Sequence, residues 1–145
     1  MSEQKPTYNA GQTPLAFRTE SHKDRFVTAI KNKIYDGNRI DTEYATAFYI
    51  LTSGLATWNK AQGYVTENGI VFETMLEEVD FSSGEAAMVR LAGNLFNDGY
   101  TTCNPVNLML LDEPNFQTIL LALKLRRYGA TITGSGIETD IRLRD

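Results

Sequence analysis

The stretch Phe81–Gly99, FSSGEAAMVRLAGNLFNDG, decides how the rest of the chain is read. Ser82 and Glu85 have the spacing of a capping box, in which each side chain satisfies a backbone N–H left without a partner at a helix start. Met88, Leu91, Ala92, Leu95 and Phe96 then recur at helical spacing on one face. Asn97-Asp98-Gly99 follows as a stop, with Gly99 suited to the left-handed conformation that ends many helices. The spacing predicts a helix of about four turns. Its apolar stripe needs partners, so it is expected to be the central packing helix.

Upstream, Ser21 is expected to open a first helix, with Asp24 completing a capping box. Phe26, Val27, Ile30 and Ile34 would be its apolar face, and Asp36-Gly37-Asn38 a turn. Asp41 is placed to cap a second helix carrying Tyr44, Phe48, Leu51 and Leu55. Thr52-Ser53-Gly54 either kinks that helix or divides it before Trp58 and Gly63. Residues 64–80 read two ways. Asn68-Gly69 and Ile70-Val71-Phe72 fit a turn and a strand, whereas Phe72, Leu76 and Val79 fit a short helix carrying Glu73, Glu77 and Glu78. Helical neighbours favour the helix.

Downstream, Asn104-Pro105 is a helix start with proline at its first position. Asp112-Glu113-Pro114 ends that segment and opens another, with Phe116, Ile119, Leu120 and Leu123 as a stripe that Leu121 and Leu125 widen. So broad a stripe predicts burial on more than one side. Arg126 and Arg127 fall in the last turn, where cations complement the helix dipole, and Gly129 stops it. The end of the chain changes character: Thr131-Ile132-Thr133, Gly134-Ser135-Gly136, then Ile137 to Leu143 fit a small β-hairpin or a frayed tail. The expectation is a mainly α fold, an irregular bundle of five or six short helices with a small C-terminal hairpin. Residues 1–14 would be a flexible arm, 15–129 the helical domain and 130–145 the hairpin or tail.

The chain has 145 residues, one domain's worth and enough to enclose a core. Its net charge of −4 argues against a nucleic-acid partner, which would require a basic face. The sum conceals a pattern. Residues 1–40 hold seven Lys/Arg against four Asp/Glu, residues 41–80 one against seven, residues 81–120 one against four, and residues 121–145 five against three. The acidic middle and basic ends can pair within the chain, pair across a homodimer, or present an acidic face to a basic partner. A single cysteine, Cys103, rules out an intramolecular disulfide and fits a reducing compartment. The polar N-terminus and the lack of a long apolar run predict a cytoplasmic protein with no membrane partner.

The residues offer little chemistry. One histidine and one cysteine cannot make a structural zinc tetrad, and no EF-hand loop is present. Neither a nucleophile elbow nor a phosphate loop occurs, so no catalytic residue, metal or cofactor is expected. His22 is read as a surface histidine near a helix cap, and Cys103 as a small half-buried residue. Glu73, Glu77 and Glu78 form either a solvated face or one that binds a metal or a basic partner. Arg90 and Asn94 share a helix face at i, i+4, with Asn97 three further on. They either satisfy buried groups or form a polar pocket or partner patch. Lys124, Arg126 and Arg127 are read as dipole-complementing or interfacial.

Three stretches carry a resemblance: Phe17…His22, an aromatic-x4-His opening; Glu43–Leu51, a tyrosine-rich helix; and Arg90-Leu91-Ala92-Gly93-Asn94-Leu95-Phe96-Asn97. Over about residues 17–128 the chain resembles small uncharacterised proteins, domains of unknown function, of Gram-positive bacteria and their phages and mobile elements. It departs from them at Phe81, where a tryptophan is expected. The resemblance implies an all-helical fold and a mobile-element setting, and no activity.

The functional expectation is a non-enzymatic protein-interaction module, in the form of a phage or mobile-element accessory protein such as an anti-defence inhibitor docking on a host complex. Its contact residues would be Glu73, Glu77, Glu78, Arg90, Asn94, Asn97, Arg126 and Arg127. The alternative is a small-ligand-binding protein or enzyme with a polar site around Arg90 and Asn94. A nucleic-acid regulator using the basic last helix is the weakest option.

Overall fold

The computed structural model of the protein describes residues 13–97 and 101–145. The expected N-terminal arm lies, through residue 12, outside the described residues, as do Asp98 and Gly99 of the expected helix stop.

Seven α-helices are described: α1 (Glu20–Ala29), α2 (Thr42–Leu51), α3 (Leu55–Ala61), α4 (Phe72–Glu78), α5 (Ser83–Phe96), α6 (Pro105–Met109) and α7 (Glu113–Tyr128). The fold is mainly α, but two features correct the expected bundle of five or six helices with a lone hairpin. Thr52-Ser53-Gly54 divides the second helix into two rather than kinking it. The predicted hairpin, β6 (Ala130–Thr133) with β7 (Asp140–Leu143), is the centre of a five-stranded antiparallel sheet.

In that sheet β7 pairs on its other side with β1 (Thr13–Pro14), Thr13 lying opposite Leu143. β6 pairs with β3 (Arg39–Ile40), Ile40 lying opposite Ala130. β3 pairs in turn with β2 (Ile34–Tyr35). The order is β1-β7-β6-β3-β2. Ile40, Ala130, Ile132, Ile141 and Leu143 are buried, so one face of the sheet closes the core. Burial alternates along β7, as expected of a strand with one solvated face. The hairpin is thereby relieved of the instability of an isolated pair.

Residues 64–80 contain both elements that the sequence offered as alternatives. β4 (Val65–Thr66) and β5 (Gly69–Ile70) form a two-stranded hairpin, and α4 follows directly.

The centre of the core is α2. Its residues Ala45 to Leu51 are all buried, and it packs against α5 and α7 most extensively, and also against α1 and α3. This is the physical consequence of residues 44–59 carrying no charged side chain. α5, the expected centre, is one of the walls: Ala87, Met88, Val89, Leu91, Ala92 and Gly93 are buried and the opposite face is open. Its capping box is present in both halves. Ser82 Oγ accepts from the Glu85 N–H at 3.2 Å, and Glu85 Oε1 accepts from the Ser82 N–H at 2.9 Å. α7 buries only Thr118, Ile119, Ala122 and Leu125, leaving Leu120 and Leu123 exposed, so its broad stripe is covered on one side alone.

The caps of α2, α6 and α7 are Asp41, Asn104 and Asp112, as their positions predict. The cap of α1 is Thr19 rather than Ser21. Thr19 Oγ1 accepts the His22 N–H at 3.0 Å. The earlier start places His22 within the first turn, four residues before Phe26 on the face that packs into the core.

Candidate functional site

The motif at 90–97 is largely a clamp. Thr101 Oγ1 donates to the Arg90 carbonyl at 3.0 Å, and Asn94 Nδ2 donates to the Thr101 carbonyl at 3.0 Å. Gly93 lies between them: a Cβ built there would come within 2.8 Å of Thr101 Oγ1 and 3.0 Å of the Phe72 ring. Leu91 and Ala92 are core residues, and Phe96 stacks edge-on against Tyr44 with ring centroids 4.9 Å apart. Arg126 secures the other end of α5. Its Nε donates to the Leu95 carbonyl at 2.8 Å, and its Nη2 lies 3.6 Å from Glu43. Asn94 and Arg126 therefore bind backbone of their own chain.

Arg90 is exposed and also borders an open space. It lines a cleft of about 710 Å³ bounded by the start of α3, the first half of α5 and the α6–α7 junction. Arg18, just before the α1 cap, lines the same cleft and donates through Nη1 to Asn115 Oδ1 at 2.7 Å. Leu55, Leu110 and Leu111 supply its apolar wall. Two carboxylates also line it. Glu85 is bonded to Lys60 at 2.8 Å as well as to the Ser82 N–H, contacts that hold its pKa below the usual range. Asp112 caps α7 by accepting the Asn115 N–H at 3.1 Å. Cys103 is half-buried. Burial pushes its thiol pKa up, partly opposed by the charge of Arg90.

The other expected contact residues are dispersed. Glu73 and Glu77 are exposed on α4, and Glu78 accepts from the Tyr64 hydroxyl at 2.9 Å. Glu73 and Asn97 meet at a separate hollow beside β5 and Phe96. Arg127 is exposed, with its guanidinium 5.5 Å from the Tyr128 ring. Of the eight, only Arg90 reaches the cleft. Arg18, Leu55 and Asn115 do reach it; Arg18 lies inside the Phe17…His22 stretch and Leu55 in the apolar repeat of the expected second helix, but nothing in their local sequence marks them for a cleft.

His22 corrects a reading. It is wholly buried rather than at the surface, in a cage of Phe17, Phe26 and Tyr49. Its ring centroid is 5.0 Å from that of Phe17 and 4.8 Å from that of Tyr49. Nδ1 accepts the Arg18 N–H at 3.1 Å, which makes Nε2 the donor to the Tyr49 carbonyl at 2.9 Å. Desolvation lowers its pKa to about 4. The aromatic-x4-His opening is thus a packing device, and His22 is neutral near pH 7.

Residues 12–133 match a family of unknown function, DUF6075. The chain belongs to that family. No curated protein and no solved structure matches it. The family match takes in β1, the clamp motif and the first strand of the C-terminal hairpin, and it assigns no activity to any of them. Among the described residues, no three His, Cys, Asp or Glu side chains converge as metal ligands would. Among the same residues, no helix is long and apolar enough to cross a membrane.

Proposed function

We propose that this member of DUF6075 is a non-enzymatic protein-interaction module that docks a partner over the cleft beside Arg90 and the outer face of α6. One observation carries the reading. Leu110 is 79% exposed, Met109 65%, Val106 63% and Leu55 58%, and Leu55 and Leu110 border the same cleft. Single exposed apolar residues are ordinary, whereas a group of them beside a concavity marks an interaction surface. Val106, Met109 and Leu110 share one side of α6, with Leu108 turned into the core.

In the setting that the sequence resemblance implies, the partner is a protein complex of the bacterial host. The module then acts in the cytoplasm as a phage or mobile-element accessory protein, an anti-defence inhibitor being its concrete form. The acidic ridge at Glu73, Glu77 and Glu78 and the exposed Arg127 would lie outside the primary contact.

Affinity capture from host extract tests the reading with the full chain and a Val106→Ser/Met109→Ser/Leu110→Ser variant of unchanged melting temperature. A partner retained by the wild type and lost by the variant is expected. Equal recovery by both, or recovery of nothing by either, overturns it. A second reading, a small-ligand site at Arg90, is favoured by the cleft's volume alone, which falls in the range of ligand pockets. Thermal stabilisation by a small anion, lost in Arg90→Gln, would support it instead.

A further inference from the structure

We infer that the segment received by the cleft is acidic, its carboxylates meeting Arg90 and Arg18 while its apolar side chains lie on Leu55, Met109 and Leu110. This deepens the docking reading above and rests on it. Among the described residues Arg90, which lines the cleft and is exposed, makes no ion pair, and only its backbone carbonyl is engaged. Arg18 is bonded to a neutral amide oxygen, so its charge is also uncompensated. His22, which bonds the Arg18 backbone, is neutral. Of the two carboxylates on the cleft, Glu85 is offset by Lys60, and Asp112 faces the start of α7, whose partial positive charge it complements. The 16-residue α7 and the 14-residue α5 both begin at this cleft, each with a carboxylate, Asp112 and Glu85, already set against its N-terminal dipole.

With Lys60 counted beside its partner Glu85, three cationic side chains stand against two carboxylates at the cleft, in a chain whose net charge is −4. Two guanidiniums beside exposed leucines fit a peptide that alternates carboxylates with apolar side chains. They fit a nucleic-acid backbone poorly, since that would need a basic stripe rather than an apolar rim. Guanidinium also pairs with carboxylate through two parallel N–H donors, which fixes register as well as charge.

Selection of a random 12-residue peptide library on the immobilised full chain tests this, followed by fluorescence anisotropy with the selected peptides. Enrichment of Asp and Glu together with Leu, Ile, Val or Phe is expected. Arg90→Gln should weaken those peptides roughly two- to fivefold, as a partly screened charge pair does. Arg90→Glu should turn the selection towards Lys and Arg. Peptides enriched without acidic residues, yet lost in Leu110→Ser, overturn the acidic occupant and leave the docking face standing. The same acidic peptides selected by wild type and Arg90→Glu overturn it equally. No enrichment over a blank surface overturns both readings.

Discussion

His22 donates through Nε2 to the carbonyl of Tyr49 at 2.9 Å, and so joins the first helix to the end of the most buried one. The bond requires the neutral ring, because Nδ1 is occupied as an acceptor for the Arg18 N–H. Protonation would remove that acceptor and bury a charge among Phe17, Phe26 and Tyr49. The folded pKa is about 4, against 6.5 for the free side chain. The unfolded chain therefore takes up its proton first as pH falls. Stability from this group is complete above about pH 6.5, declines between 6.5 and 4, and is constant below, a total of about 3 kcal/mol. Urea unfolding of wild type and His22→Gln across this range should give a stability difference that shrinks by that amount as pH falls. Parallel pH profiles would show that the ring is not held neutral.

Gly93 is the position in the clamp where a methyl group has no room. Gly93→Ala would press on Thr101 Oγ1, Thr101 Cγ2 and the Phe72 ring at once. Overpacking of this kind costs about 1–3 kcal/mol. Thr101→Ala removes two of the three conflicts and one hydrogen bond. The double variant should accordingly be more stable than the sum of the single changes predicts, by about 0.5 kcal/mol or more. Chemical denaturation of the four proteins measures this, and strict additivity would mean that Thr101 does not confine Gly93.

Arg126 tests whether a cation near the end of a helix acts through charge or through its bond. Its Nε donates to the Leu95 carbonyl near the C-terminus of α5, while its ion pair with the 54%-exposed Glu43 is long and solvated. Arg126→Ala should cost about 1–2 kcal/mol through the half-buried acceptor left unmet. Glu43→Gln should change stability by under about 0.5 kcal/mol. Melting temperatures with equal losses for both variants would put the ion pair, not the Leu95 bond, in control.

The helices were legible because their signals are local and long enough to repeat. Ser82 with Glu85, Asp41, Asn104-Pro105 and Asp112 mark four of the starts, and the apolar spacing of α5 and α7 marks their bodies. The sheet was not legible beyond its hairpin. β1, β2 and β3 are two residues each, and two residues carry no period. Their pairing depends on Thr13 meeting Leu143 and Ile40 meeting Ala130 across the whole chain. The sequence places His22 at the surface because Ser21 and Asp24 imitate a capping box that Thr19 pre-empts. The cleft was half legible. Arg90 stands out as a charge within an apolar helix, but Arg18 and Leu55 are brought to it only by tertiary packing.

The loop of the C-terminal hairpin separates backbone demand from side-chain burial within four residues. Gly134 has φ +77°, and a Cβ there would overlap the Glu138 carbonyl oxygen. Ile137, in the same loop, is completely exposed. The loop fixes the register of Ile132 with Ile141, and β7 is the strand to which β1 attaches. Gly134→Ala should therefore loosen more than the turn. A cost of about 2–4 kcal/mol is expected from the strained backbone together with the clash. Amide exchange should accelerate in β6 and β7 and extend to Leu15, whose N–H bonds the Ile141 carbonyl at 2.9 Å. Ile137→Ser removes a large apolar side chain from the same loop and should leave both stability and exchange unchanged. If Ile137→Ser is the more damaging of the two, the side chain rather than the turn geometry holds the hairpin in place.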